Sequence, residues 1–319
     1  MKKNKVVFFL TMIVIFGSCK KDDDPGIEVV PPRTLAEVEA EDAAEIIAFL
    51  DTHFYNYEEF ASPPADFDFR IKIDTIAGDN AGKIPLRQQV EDLEISVSSS
   101  EFGLSEEETV THTMYYLEAR EGIGEGLTVA DSSFVRYQGS LLNGNVFDGS
   151  LNVPIWFDLA TLQGPLQGAR GFAEGTHMFK AGGPPTVNPD GTFSVEDYGI
   201  GMMIFPSGLG FFNSSGSGSI PAYSPMIFTV DLYTVNDTDH DGDGIPSILE
   251  DLDGDGYLYN DNTDIDGEDF QRFPNFGDPD DDGDGTRTRE EIIINDDGTL
   301  TFPDTDGDGT PDYLDPDNF

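Results

Sequence analysis

The chain has 319 residues, enough for two or three domains, and carries 62 acids against 17 lysines and arginines, a net charge of −45. Such a charge repels phosphates and no basic patch offsets it, so nucleic acid is excluded as a partner and bound cations are expected. A single cysteine rules out an internal disulfide.

The amino terminus opens with Lys2, Lys3 and Lys5, followed by an apolar run from Val6 to Phe16 that is too short to span a bilayer and suits the core of a signal peptide. Gly17 and Ser18 lead to Cys19, and small residues ahead of the only cysteine resemble a bacterial lipobox. That resemblance implies removal of residues 1–18, acylation of the Cys19 thiol and membrane attachment through the lipid; an ordinary secretory signal with an incidental cysteine is the alternative. Lys20-Lys21-Asp22-Asp23-Asp24 cannot pack, so residues 19–33 read as a solvated tether, kept extended by Pro25, Pro31 and Pro32. The same string resembles the lysine-then-acid tag that routes some lipoproteins of the Bacteroidetes group to the outer face of the outer membrane. A surface address and a periplasm-facing anchor both remain open.

From Thr34 to Phe60 the apolar positions Leu35, Val38, Ile46, Ile47, Leu50, Phe54 and Tyr57 recur at helical spacing, with Thr34 placed to cap and Glu37 three residues on. Pro63-Pro64 ends the helix, Phe67 to Ile76 alternates like a strand, Asp79 to Gly82 reads as a turn, and Leu93-Ile95-Val97 as a further strand. Residues 34–104 hold no catalytic signature and read as a small accessory region.

Residues 113–119 and 128–137 predict two strands, and residues 134–148 read as two alternating segments around Asn143-Gly144, a two-residue hairpin signal. The spacing of Tyr137, Gly139, Gly144, Phe147, Asp148 and Ser150 resembles the hairpin of FKBP-type peptidyl-prolyl cis-trans isomerases. Three further blocks resemble that family in the same order: Gly171 to Gly175 with the turn Ala181-Gly182-Gly183, Ile204 to Phe211, and Ile220 to Leu232. Across residues 105–235 the resemblance implies an α+β fold, an antiparallel half-barrel sheet wrapped around a short helix beginning near Phe172.

It also implies an isomerase acting on proline-containing polypeptides with no catalytic cofactor. Tyr137, Phe147, Phe157, Phe172, Phe211 and Phe228 would line the pocket, Asp148 would be the polar group near the twisting carbonyl, and the backbone N–H beside Ala169 would hold the substrate. Core packing is the alternative for each aromatic, above all Phe157 and Phe228, and a turn-capping carboxylate is the alternative for Asp148. Several positions depart from the family: Ile155 stands in place of an aromatic, with Trp156 beside it as a candidate substitute, and no tyrosine stands near Phe211-Phe212 to supply a substrate-binding hydroxyl. Insertions lie at Gln163 to Gly168 and Pro184 to Gly201, the second predicting an extra hairpin beside the pocket through Asn188-Pro189-Asp190-Gly191. His53, His112, His177 and His240 show no metal-ligand spacing, which argues against zinc.

Of the acids, 28 follow Tyr233, and one pattern repeats through residues 236–319. Asp239, Asp241, Asp243, Gly244 and Glu250 fit D-x-D-x-D-G-x5-E, as do Asp280, Asp282, Asp284, Gly285 and Glu291. Asp304, Asp306, Asp308, Gly309, Asp312 and Asp315 begin alike and resemble a thrombospondin type 3 repeat, while Asp251, Asp253, Asp255 and Gly256 open a less complete copy. Hard carboxylate oxygens at alternate positions predict Ca2+ in an irregular Asp-rich tail; a plain acidic spacer is the alternative. The chain therefore reads as a lipid-anchored prolyl isomerase and folding helper of the bacterial envelope, at the outer membrane. The rival reading is a non-catalytic peptide-binding or adhesion protein using the same groove.

Overall fold

The computed structural model describes residues 31–164, 167–214, 218–264 and 273–318; the apolar run and Cys19 lie outside them. Residues 33–319 form one compact unit. Helix α1 (Leu35–Thr52) starts where the capping residue predicts, with the Thr34 hydroxyl accepting the Glu37 N–H at 3.3 Å. It ends at Thr52 rather than near Phe60. The Thr52 hydroxyl turns back to the Ala48 carbonyl at 2.7 Å, and His53 is already extended, opening β1 (His53–Tyr55). A separate short helix, α2 (Tyr57–Ala61), follows.

The alternating stretch 67–76 becomes a strand only at β2 (Ile73–Thr75), which pairs with β1. Phe69 sits at φ 54, a left-handed conformation that ends an extended run. Its neighbours form an aromatic cluster instead, Phe60 to Phe67 at 5.0 Å and Phe67 to Phe69 at 4.8 Å between ring centroids.

The long strands are β3 (Glu91–Ser98), β4 (Thr109–Arg120), β5 (Ser132–Leu141) and β6 (Val146–Asp158). Helices α3 (Leu159–Gln163) and α4 (Arg170–Thr176) come next, then a small hairpin of β7 (Thr186–Val187) and β8 (Phe193–Ser194). The strands β9 (Gly199–Phe205) and β10 (Met226–Asn236) complete one antiparallel sheet in the order β3-β4-β9-β10-β5-β6. The sheet starts ahead of residue 105, because β3 pairs with β4 through Leu93 with Met114 and Ile95 with His112. Strand β5 begins at Ser132 rather than Thr128, since the Asp131 carboxylate takes the Thr128 N–H and hydroxyl at 2.7 Å each and closes a turn there.

Both faces of the sheet are covered, and successive side chains alternate between them. On one face α4 lies across the strands, where Phe172 and Ala173 pack with Met114, Met203, Phe205 and Phe228. A methyl group on Gly175 would come 2.5 Å from the Met203 sulfur, so this close approach requires a glycine. On the other face α1 buries Ile46, Phe49 and Leu50 against Tyr115, Leu117, Met202, Ile204 and Ile227. Each such side chain contributes roughly 1.5–3 kcal/mol of burial. Strand β9, Gly-Ile-Gly-Met-Met-Ile-Phe, is buried at every position, which explains its unbroken apolar run. The accessory helix is thus the second layer of the sheet.

The acidic tail packs back on this unit through Leu258 and Phe276 against Ala130 and Ala160, and has a small cluster of its own in Ile245, Ile292 and Tyr313. Four loops repeat one hydrogen bond, from the glycine N–H to the aspartate five residues earlier: Gly244 to Asp239, Gly256 to Asp251, Gly285 to Asp280 and Gly309 to Asp304, at 3.0 to 3.2 Å. No helix among the described residues is long and apolar enough to cross a membrane.

Candidate functional site

The Asn143-Gly144 turn closes through Gly144 N–H to the Leu141 carbonyl at 2.9 Å and leads to the pairing of Ser140 with Val146; a bulge between Gly139 and Ser140 then shifts the register so that Gly139 pairs with Asp148 and Tyr137 with Ser150. Strand β5 therefore points Tyr137 at the face covered by α4. A cavity of about 380 Å³ opens there, lined by Tyr137, Phe147, Asp148, Phe157, Ala169, Phe172, Phe211 and Phe228, all eight residues expected at the pocket. Leu162, Gln167, Gly168 and Ile220 complete the wall. Ile220 falls in a block that carried the family resemblance; the other three stand in or beside the first insertion, where nothing in the pattern marks them.

The aromatics meet mostly edge to face. Phe172, buried at the centre, lies 5.1 Å from Phe157, 5.3 Å from Phe228 and 6.0 Å from Tyr137, and Phe147 lies 5.6 Å from Phe228. Such pairs add about 0.5–1.5 kcal/mol each beyond burial and hold the rings in place. Gly168 adopts φ 70, and any side chain on it would strike the Phe211 ring, so the glycine brings that ring over the cavity. The Tyr137 hydroxyl donates to Asp148 Oδ2 at 2.7 Å, and the Gly149 N–H donates to Oδ1 at 2.8 Å. Burial, then the Asp148 hydrogen bond, hold the Tyr137 phenol well above its ordinary range, so it stays a donor.

Two expectations about the rim are corrected. Trp156 does not replace the missing aromatic: it is half exposed and packs on Phe134, whose side chain points away from the Tyr137 face. The extra hairpin does form, with Asn188 N–H bonded to the Thr192 carbonyl at 2.7 Å, but Phe193 packs on Phe134 on that far side and the hairpin is absent from the cavity wall. Phe211 lines the cavity, whereas Phe212 is buried between Phe102 and Tyr223.

Behind the wall, Arg170 is buried and clamps Glu101 with two bonds of 3.1 Å and Glu174 with one of 3.3 Å, with its guanidinium 4.3 Å from the Tyr257 ring. Burial raises the Glu174 carboxyl to about 7, an effect that Arg170 opposes. Segment 257–259 of the tail therefore rests directly under the residues that begin α4.

In the tail, Asp251, Asp253 and Asp255, then Asp280, Asp282 and Asp284, then Asp304, Asp306 and Asp308 each gather carboxylate oxygens within 4.8 Å of one another. Glu291 stands near the middle set, its carboxyl raised to about 7 by burial and then by Asp282, Asp284 and Asp280. Asp239 accepts the Gly242 and Gly244 N–H groups, while Asp241, Asp243 and Glu250 are gathered with Asp281, which the repeat pattern does not include. Asp312 Oδ1 accepts from Thr305 N–H at 2.8 Å and Asn318 Nδ2 at 2.6 Å, a turn-holding role, and Asp315 Oδ1 accepts from Asp317 N–H at 3.1 Å. Asp261 was not expected either; it is buried beside the second loop, with Oδ1 accepting the Leu252 N–H at 3.1 Å and Oδ2 without a hydrogen-bond partner among the described residues.

Among known proteins, the chain is 32% identical over 130 residues to a probable FKBP-type peptidyl-prolyl cis-trans isomerase of Haemophilus influenzae, covering 40% of this chain and 44% of that protein. The chain thus spans less than half the length of the curated relative it matches. A family model described as BamM C-terminal matches residues 240–303. Similar solved structures include a peptidyl-prolyl cis-trans isomerase from Pseudomonas syringae, at 18% identity and TM-score 0.29 over 39% of this chain and 75% of that one. FkpA from Escherichia coli is similar at 20% identity and TM-score 0.32 over 63% of each chain.

Proposed function

We propose that this protein is a lipid-anchored peptidyl-prolyl cis-trans isomerase of the FKBP type, acting on proline-containing polypeptides and assisting the folding of envelope or surface proteins. The observation that carries the reading is an aromatic cavity with a fixed phenol and carboxylate pair at its edge. Rotation about an X–Pro bond must overcome roughly 18–20 kcal/mol of amide resonance, and it needs no nucleophile. A dry cavity that holds the prolyl ring favours the twisted, less polar amide over the planar ground states. Phe172, Phe157 and Phe228 supply the ring-binding wall, and Asp148, held on both oxygens, stands where the carbonyl turns out of plane. The isomerase domain ends near residue 235, and on its amino-terminal side it takes in β3.

The anchor is Cys19, supported by the apolar run and small residues before it, in the outer membrane with either a surface or a periplasmic orientation. The tail holds calcium; the support is a set of buried carboxylate oxygens without hydrogen-bond partners among the described residues. The alternative, a groove that binds peptides without turnover, is favoured by the Phe211-Phe212 segment, which offers no hydroxyl to a substrate. Turnover of a short X–Pro peptide by the full chain separates the two: acceleration over buffer supports the isomerase, and a rate equal to buffer leaves the binding groove.

A further inference from the structure

The D-x-D-x-D-G pattern assigns no role to Asp281, which falls between the first two acids of the third loop. In the fold it leaves that loop's set and joins the first: Asp241, Asp243, Glu250 and Asp281 each offer one carboxylate oxygen, all within 4.8 Å of one another. Asp281 and Glu250 are each 1% exposed and Asp243 2%. Both oxygens of Asp281, both of Glu250, and Oδ2 of Asp241 and of Asp243 are buried without a hydrogen-bond partner among the described residues.

Four carboxylates cannot share a buried space uncompensated, because each loses its hydration and repels the others. Among the described residues the tail's one ion pair is His240 with Asp158, elsewhere, and Arg289, whose charge reaches Asp243, is exposed. The backbone of Asp281 is meanwhile held on both sides, its N–H donating to the Thr288 hydroxyl at 3.0 Å and its carbonyl accepting from the Thr263 hydroxyl. Asp281 is thus fixed in place with its carboxylate turned into the cluster.

We propose that one divalent cation, calcium by the hardness and number of the oxygens, binds Asp241, Asp243, Glu250 and Asp281 together and clamps the first acidic loop to the third. The inference rests on the reading of the tail as calcium-binding and adds a site that neither loop forms alone. Because its ligands come from two loops, filling it orders both at once.

The test is calorimetry of the detergent-purified full chain with calcium alone, after chelation, for wild type, Asp281→Asn, Glu250→Gln and the double variant. Each single variant should lose one bound ion or weaken it at least tenfold, and the double variant should lose no more, since both residues serve one ion. Asp304→Asn, in a loop of its own, should remove a different ion. Hydrogen exchange should show loops 239–250 and 280–291 gaining protection at one calcium midpoint in wild type and at separate midpoints in Asp281→Asn. Unchanged binding by Asp281→Asn, or loss of separate ions by the two single variants, overturns the shared site while leaving a calcium-binding tail. No calcium uptake by wild type overturns both.

Discussion

The side-chain amide of Gln163 ties the acidic tail to the wall of the cavity: its Oε1 accepts the Leu258 N–H at 3.1 Å while its Nε2 donates to the Val129 carbonyl at 3.1 Å. Gln163 is buried, and its neighbour Leu162 faces the cavity. Gln163→Ala leaves a buried N–H and a buried carbonyl unpaired, each costing about 1–3 kcal/mol. Urea unfolding should show that loss, and X–Pro peptide turnover should fall with it. A stability change below about 1 kcal/mol would show that the amide is not the tie.

Phe147→Ala or Asp148→Ala should lower kcat/KM for an X–Pro peptide at least tenfold, about 1.4 kcal/mol of transition-state binding. Phe147 walls the cavity beside Phe228, and Asp148 anchors the Tyr137 hydroxyl. Unchanged kcat/KM in both variants would remove this cavity from the reaction.

His112 and Glu39 meet between α1 and the sheet, His112 Nε2 lying 3.6 Å from Glu39 Oε2. Burial lowers the His112 imidazole to about 4 and raises the Glu39 carboxyl to about 7. Between pH 4 and 6.5 the unfolded chain binds more protons at His112 than the native one, so that residue makes stability rise with pH. Between pH 4.5 and 7 the native chain binds more protons at Glu39, so that residue makes stability fall. The two slopes oppose each other in the wild type. Relative to wild type, Glu39→Gln should make the slope of stability against pH more positive between pH 4.5 and 7, and His112→Gln should make it more negative between pH 4 and 6.5, each by on the order of 3 kcal/mol by urea unfolding across the range. Equal slopes in the two variants would refute the assignment.

Cys19→Ser should move the protein from the membrane fraction to the soluble one. Retention of the variant in membranes, released only by detergent, would show that another part of the chain provides the anchor.

Local chemistry made much of this protein legible in its sequence. Alternation and an Asn-Gly turn predict the β5–β6 hairpin, but not the bulge between Gly139 and Ser140 that shifts the register on the way to Tyr137. The capping pair Thr34 and Glu37 places the start of α1, and the spaced aspartates mark four loops that repeat one glycine-to-aspartate hydrogen bond. The end of α1 was not legible, because pairing of His53 to Tyr55 with a strand some twenty residues on overrides the helical spacing of Phe54 and Tyr57. Nor were the role of α1 as the second layer of the sheet, the contribution of Gly168 to the cavity, and the removal of Trp156 to the far face. Asp281 is the sharpest case: its own loop offers it nothing to do, and only the packing of Ile245, Ile292 and Tyr313, which brings two loops together, surrounds it with the carboxylates of another. Spacing along the chain decides what a loop or strand can be, whereas burial among residues distant in sequence decides which side chains share a cavity or a charge.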